Sequence, residues 1–342
     1  MRLLARSRRA ASTLASAVEV RGVGLHSGAA SRVVLRPATI DDGVYFVRSD
    51  LAGKEVRIAA RPESVVDTRL CTVIGAPEIS RDVTVSTIEH LMAALCGSGV
   101  TACRIEVDAP ELPLLDGSAL PWIGAIETAG IAPADVSRPA SSGSHDGQPV
   151  GFVQRALGML RGVTTTRLPP PPLTTTKGTT PPMMTSVRLR RPVCVDEERA
   201  WVVAMPAEVP RITYGIDFPG HAPIGCQWFS WAPGSGPSFA EAIAPARTFG
   251  LREQLETLRA AGLIKGGSLD NALVCDHDVW LNGPLRFANE PVRHKLLDLV
   301  GDLSLLGGLP CAHVVAYRAS HRLHVRLALA LAAEGERQER TG

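Results

Sequence analysis

Residues 290–303 read EPVRHKLLDLVGDL, and the rest of the chain is understood from this stretch. Pro291 suits the first turn of a helix, where its missing N–H is not needed. Gly307 and Gly308 offer a stop. At 100° per residue Val292, Leu296, Leu299 and Leu303 share one face, which predicts an amphipathic helix on a core. His294, Lys295, Asp298 and Asp302 fall together on roughly the opposite face. His294 and Asp298 are four residues apart, so both can reach one metal ion. Asp302 is one turn further on, placed to orient a neighbour, and Lys295 adds a cation. The alternative is a solvated charged face laced by ion pairs.

The 342 residues are 45% hydrophobic and 20% charged, enough for two core-forming domains. A net charge of +2 gives no electrostatic case for nucleic acid or an anionic membrane. No apolar run reaches the roughly 18–20 residues of a transmembrane helix. Seven cysteines are scattered without a C-x-x-C pair, which argues for a reducing compartment and against a disulfide or zinc-ribbon framework. Any metal must then be held by histidine and carboxylate.

Residues 1–17 hold four arginines, three serines and no acid, the composition of an organelle transit peptide or of a plain basic extension. RGVGLHSG follows, with glycines turning the chain around His26, which reads as a structural turn and not a ligand. Residues 32–36, 44–48, 71–75, 83–85 and 102–107 read as strands. Ser86–Cys96 (STIEHLMAALC) has Ile88, Leu91, Met92 and Leu95 at helix spacing, with Gly97 as a stop. Ser86 and Glu89 form the pattern of a capping box, so Glu89 has a purely structural reading, and His90 can be read as a core histidine. A helix over Leu120–Ala129 closes a first α+β unit, 18–135.

Residues 136–187 change to proline, threonine and serine, reading as a disordered linker with one short helix at Val150–Leu160. A second α+β unit, 188–335, repeats the order strands, helix, strand, helix, which suggests a distant duplication. It includes SFAEAIAPARTF (238–249), a short helix through Leu251, Leu255 and Leu258 ended by Gly262, the strand of KGGSLDNALV (265–274), the strand 311–317 and a last helix from His321 to about Ala333. A tail, 336–342, follows. His313 is read as core; His145, His221 and His277 lie in loops and read as incidental.

STIEHLMAAL, APARTFG…KGGSLDNALV and EPVRHKLLDLVGDL together resemble the UDP-3-O-acyl-N-acetylglucosamine deacetylase family of lipid A biosynthesis. GVGLHSG, DTRLCT and EVDAPELPLLDGSA are similar to the same family, and the resemblance covers about 18–135 and 187–333. It implies two similar α+β domains, each a sheet and helices packed in layers, with the active site at their interface. It implies a hydrolase with one catalytic Zn²⁺ that removes acetate from a 2-acetamido group. By this resemblance His90, His294 and Asp298 match the metal ligands and Glu89 the general base. Lys295 and Thr248 match oxyanion stabilisers. His321 matches the general acid or electrostatic stabiliser, and Asp302 the carboxylate orienting it. Leu70, Phe249 and Gly267 match the substrate site. Leu255, Leu258, Ile264, Ala272 and Val274 match the wall of an acyl-chain passage within 251–274. The partner is a small acylated UDP-amino sugar, and a monomer is expected.

The chemistry agrees. Three protein ligands leave one zinc position open for water, whose pKa then falls from about 15.7 towards about 7. A carboxylate beside a ligand can take the proton, and an amide's leaving amine needs an acid. Two histidines and a carboxylate also suit Fe²⁺. The family's final motif is usually GHxLN; here it is Ser320-His321-Arg322-Leu323-His324, which keeps the histidine and offers a second imidazole. The linker and basic N-terminus point to a plant or algal homologue in the mitochondrial matrix, with a cytoplasmic protein as the alternative. Two other functions stay open: a metal amidohydrolase for another acylated nucleotide sugar, and an inactive binding protein that keeps the fold.

Overall fold

The computed structural model describes residues 11–51, 55–134 and 187–341, with side chains to residue 335. In the first unit, β1 (Ser12–Leu14), β2 (Val18–Val23), β3 (Ala30–Pro37), β4 (Val44–Arg48), β5 (Arg57–Ala59), β6 (Val65–Asp67), β7 (Val73–Gly75) and β8 (Thr84–Val85) lead to helix α1 (Glu89–Gly97). β9 (Cys103–Val107), α2 (Leu120–Ala129) and β10 (Ile131–Pro133) complete it. In the second, β11 (Val193–Glu197), β12 (Ala200–Pro206), β13 (Arg211–Phe218) and β14 (Gly225–Trp231) precede α3 (Phe239–Ala242), β15 (Phe249–Leu251) and α4 (Arg252–Ala260). β16 (Leu273–Asp276), β17 (Val279–Trp280), α5 (Glu290–Ser304), β18 (Ala312–Tyr317) and α6 (His321–Thr341) follow.

The main sheets have one design. Their strand orders are β2-β3-β9-β4-β5 and β11-β12-β18-β13-β14, the same order when strands are numbered within each unit. Each has one parallel pair, β4 with β9 and β13 with β18, and antiparallel neighbours elsewhere. A parallel pair needs a crossover, and that crossover carries α1 in the first unit and α5 in the second. The expected duplication is therefore present in the topology. Each crossover also holds a small three-stranded sheet, β6-β7-β8 or β15-β16-β17.

The core joins both units. Helices α1 and α5 pack on each other, α5 also against β13, β14 and α6, and α6 against β11 and β12. The order is sheet, helices, helices, sheet. Val292, Leu296, Leu299 and Leu303 are fully buried as the apolar stripe requires, but so are His294, Asp298 and Asp302. The solvated-face alternative for α5 fails, because the polar face is covered by α1 and α6.

Several boundaries differ from expectation. The N-terminal extension does not run to residue 17: Ser12–Leu14 pair with Ile131–Pro133, and Leu14 is buried. Residues 1–10 lie outside the described residues, as does the Val150–Leu160 helix with most of the 136–187 linker. Val187, placed in that linker, is buried and accepts the Cys311 N–H at 2.8 Å, so it belongs to the second unit. The last helix continues past Ala333 through the expected tail to Thr341. His313 is half-buried on the outward face of β18, where Nε2 lies 2.9 Å from Thr213 Oγ1, and is not core.

The Ser86–Glu89 capping box does not form. Thr87 has φ +59°, outside helical space, so the helix starts at Glu89 with Ile88 as its cap. Ser86 Oγ donates instead to Pro110 O at 3.0 Å. A capping box does exist at Ser238 and Glu241, starting α3. Gly97 is the last residue of α1, left bare where the Phe239 ring packs.

Candidate functional site

Glu89 and His90 open α1 and point into its contact with α5. The helices cross where Gly301 faces the Glu89 backbone, with no room between them for a side chain. His294, Asp298 and Asp302 recur every four residues along α5, so they form one row beneath the start of α1. The interface thus brings residues about 200 positions apart into one buried cluster.

His90, His294 and Asp298 each offer one ligating atom, all within 4.8 Å of one another. His294 Nε2 is 3.4 Å and His90 Nε2 3.8 Å from Asp298 Oδ1. His294 Nδ1–H donates to Ala246 O at 3.0 Å, which leaves the Nε2 lone pair facing the cluster. Asp298 Oδ1 is buried without a hydrogen-bond partner, an arrangement that costs free energy unless a cation meets it. Burial drives His90 down to about 3, reinforced by neighbouring His294, and burial also lowers His294. Both imidazoles are neutral at pH 7, as metal ligands must be. The Asp298 carboxyl, despite burial, is held far below the usual range by Lys295 and the surrounding histidines. These residues fit a divalent metal.

Glu89 and His321 lie beside this set. Glu89 Oε2 accepts the Thr72 N–H at 3.1 Å, and Oε1 lies 3.8 Å from His321 Nε2. His321 Nδ1–H donates to Asp302 Oδ2 at 2.8 Å. The Thr72 hydroxyl donates to the other oxygen, Oδ1, at 2.5 Å. His324 Nδ1–H also reaches Asp302 Oδ2 at 2.8 Å, and its Nε2 lies 3.0 Å from the Tyr214 hydroxyl, which donates to Ala319 O at 2.7 Å. Both histidines of the SHRLH segment therefore serve one carboxylate, but only His321 faces Glu89.

Charge separates their roles. Burial pushes the Glu89 carboxyl up to about 7, against the pull of His321 and with Asp302 and Asp298 adding to the rise. Burial works against a charge on His321, yet Asp302 and Glu89 outweigh it and raise the imidazole to about 9. Asp302, despite burial, is held down at about 2 by His321 and His324. A carboxyl poised near neutrality thus faces an imidazolium. Lys295 Nζ is 2.9 Å from Asp298 Oδ2, and although burial opposes its charge, the Asp298, Glu89 and Asp302 carboxylates keep its pKa raised.

Thr248 lies two residues beyond Ala246; its N–H donates to Gly117 O at 2.7 Å, stitching the two units together. Phe249 packs edge-on against Phe218, ring centroids 5.6 Å apart. Phe218, Leu251, Gln254, Lys295 and Arg318 line a cavity of about 330 Å³. Gly267 sits beside Leu25, in the glycine turn that holds His26. That turn is held by buried Glu111, which accepts the His26 and Ser27 N–H groups. Leu255, Leu258, Ile264 and Ala272 are half-buried and Val274 is buried. Leu70 is exposed. The residue of DTRLCT that reaches the cluster is Thr72, which the sequence did not single out; its signal was only its place inside the motif.

The family model for UDP-3-O-acyl N-acetylglycosamine deacetylase matches residues 11–145 and 176–333. A UDP-3-O-acyl-N-acetylglucosamine deacetylase from a Nostoc species is 46% identical over 318 residues, covering 92% of this chain and 96% of the relative. One from a Synechocystis species is 45% identical over 320 residues, covering 94% and 98%. An Arabidopsis thaliana relative whose name ends "deacetylase 1, mitochondrial" is 42% identical over 330 residues, covering 92% and 86%.

Proposed function

The chain belongs to the UDP-3-O-acyl N-acetylglycosamine deacetylase family, and from that premise we propose that it hydrolyses the 2-acetamido group of a UDP-3-O-acyl-N-acetylglucosamine in lipid A biosynthesis. The observation that carries this reading is the facing pair Glu89 and His321, 3.8 Å apart beside His90, His294 and the orphaned Asp298 oxygen.

His90, His294 and Asp298 would hold one divalent ion, zinc by the family resemblance, though this donor set also suits Fe²⁺. Such an ion supplies Lewis acidity for the amide carbonyl and eases deprotonation of water. Glu89 takes the proton from the attacking water as its oxygen bonds to the acetyl carbon. The Lys295 ammonium and Thr248 hydroxyl donate to the oxyanion that develops, and losing one such donor typically costs about 10²–10³ in turnover. The C–N bond then breaks, and His321 gives its Nε2 proton to the departing amine. Asp302 keeps His321 oriented and charged, and Thr72 holds Asp302 and Glu89. Acetate and the free amino sugar leave.

The 330 Å³ cavity beside Lys295, whose wall carries Arg318 paired with Asp217 at 3.2 Å, offers room for the nucleotide end. Phe249, Gly267 and exposed Leu70 contact the sugar and its substituents. Leu255, Leu258, Ile264, Ala272 and Val274 line the acyl chain's path. The basic composition of the first residues and the mitochondrial name of the Arabidopsis relative support an organelle location.

Acetate release from UDP-3-O-(3-hydroxyacyl)-N-acetylglucosamine, with and without chelator, tests the reading. Release should stop on chelation and return with zinc. Turnover that persists in metal-free protein overturns the metal role; no release from folded, metal-loaded protein overturns the substrate.

A further inference from the structure

His221, Glu253 and His277 lie far apart in sequence and meet at the surface. His221 is in the turn between β13 and β14, Glu253 in the first turn of α4, and His277 at the tip of the β16–β17 hairpin. One ligating atom from each lies within 4.8 Å of the others. His221 Nε2 and Glu253 Oε2 are 3.3 Å apart, and the His221 and His277 rings stack, 6° from parallel with centroids 6.0 Å apart.

With metal bonds of about 2.0–2.1 Å, tetrahedral ligand atoms sit about 3.3–3.4 Å from each other. The His221–Glu253 separation already has that length, as does His294–Asp298 at 3.4 Å in the buried centre. The backbones are fixed too. Arg252 pairs with Asp276, tying the residue before Glu253 to the residue before His277. The His221 N–H donates to Phe218 O at 3.2 Å, and the His221 carbonyl accepts from Ile224 and Gly225 at 3.0 and 2.9 Å. A surface ion pair needs only His221 and Glu253 and leaves the third side chain unexplained. Imidazole lone pairs lie in the ring planes, so exposed His277 has to turn out of its parallel arrangement for its nitrogen to face the point that His221 and Glu253 share.

We propose that His221, Glu253 and His277 bind a divalent transition-metal cation at a second site, separate from the His90–His294–Asp298 centre. Two imidazoles and one carboxylate favour Zn²⁺, Co²⁺ or Ni²⁺ over Mg²⁺ or Ca²⁺, which take mainly oxygen ligands. His221 also lines the cavity shared by Leu251, Gln254 and Lys295. A cation here therefore clamps the β13–β14 turn, α4 and the β16–β17 hairpin around that cavity's mouth.

The test is zinc stoichiometry by calorimetric titration of the untagged full chain after chelator stripping. The unsubstituted protein should bind one equivalent more than His277→Ala, and Mg²⁺ should not compete for it. Glu253→Gln keeps both imidazoles and should weaken that equivalent by about 10–100-fold or more. Equal stoichiometry in the parent and a folded His277→Ala protein overturns the site. Should His277→Ala lose its fold, unchanged zinc affinity in Glu253→Gln overturns it instead.

Discussion

Gly301 of α5 lies directly under the first residue of α1: a Cβ built on it would fall 2.8 Å from the Glu89 carbonyl carbon. This contact sets how deeply Glu89 reaches towards His321 and the His90–His294–Asp298 set. In an exposed helix, replacing glycine by alanine stabilises by about 0.5–1 kcal/mol. Here Gly301→Ala should destabilise by about 1–3 kcal/mol, because backbone must move. Calorimetry reads the sign, and turnover should fall with it as Glu89 is displaced. A raised melting temperature would mean the helices are not in contact.

Thr72→Val separates the two tasks of Thr72. The backbone N–H to Glu89 remains, while the hydroxyl to Asp302 is lost. An Asp302 oxygen left buried without that donor costs about 1–3 kcal/mol. With less support for Asp302, the basic limb of the rate profile should shift and turnover should fall, whereas Thr72→Ser should restore both. Identical pH profiles for the Val variant and the parent would remove Thr72 from the site.

The pH profile of kcat/KM should be a bell. Glu89 must be ionised to act as base, so activity rises as pH climbs through its pKa, about 7. His321 must be protonated to act as acid, so activity falls as pH passes about 9. A cation at the neighbouring ligands lowers both values, moving the bell to the acid side without reversing either limb. His321→Gln should abolish the basic limb along with most of the rate. A basic limb that survives in that variant assigns the acid elsewhere.

Protein starting at Val18 should be measurably less stable than protein starting at Ala11. The shorter chain loses β1 and the fully buried Leu14, a side chain worth about 1.5–3 kcal/mol on burial. Comparative thermal melts decide it. A leader removed in an organelle should accordingly be cut before Ser12, which mass spectrometry of the mature protein checks.

The sequence revealed most where chemistry and periodicity coincide. The i, i+4 spacing of His294, Asp298 and Asp302 placed them on one row whatever packed above it. What covered that row was not legible, so a solvated face remained open for α5. Glu89 was ambiguous because Ser86 precedes it by three residues; only the positive φ of Thr87 excludes the cap. Thr72 was hidden because its partner, Asp302, lies 230 residues away and a threonine has no distinctive spacing. His221 and His277 were hidden for the same reason, each in its own loop with no periodic neighbour.

The matching strand orders of the two sheets carry a further implication. Helices α1 and α5 occupy equivalent crossovers, yet each brings only a fraction of the chemistry: Glu89 and His90 from one, His294, Lys295, Asp298 and Asp302 from the other. Half the chain therefore holds only part of the proposed centre. In a pair of identical units every residue would have to serve both sides of such a centre at once. Two unlike units on one chain are free of that constraint, so the His90–His294–Asp298 set can take one side chain from the first crossover helix and two from the second.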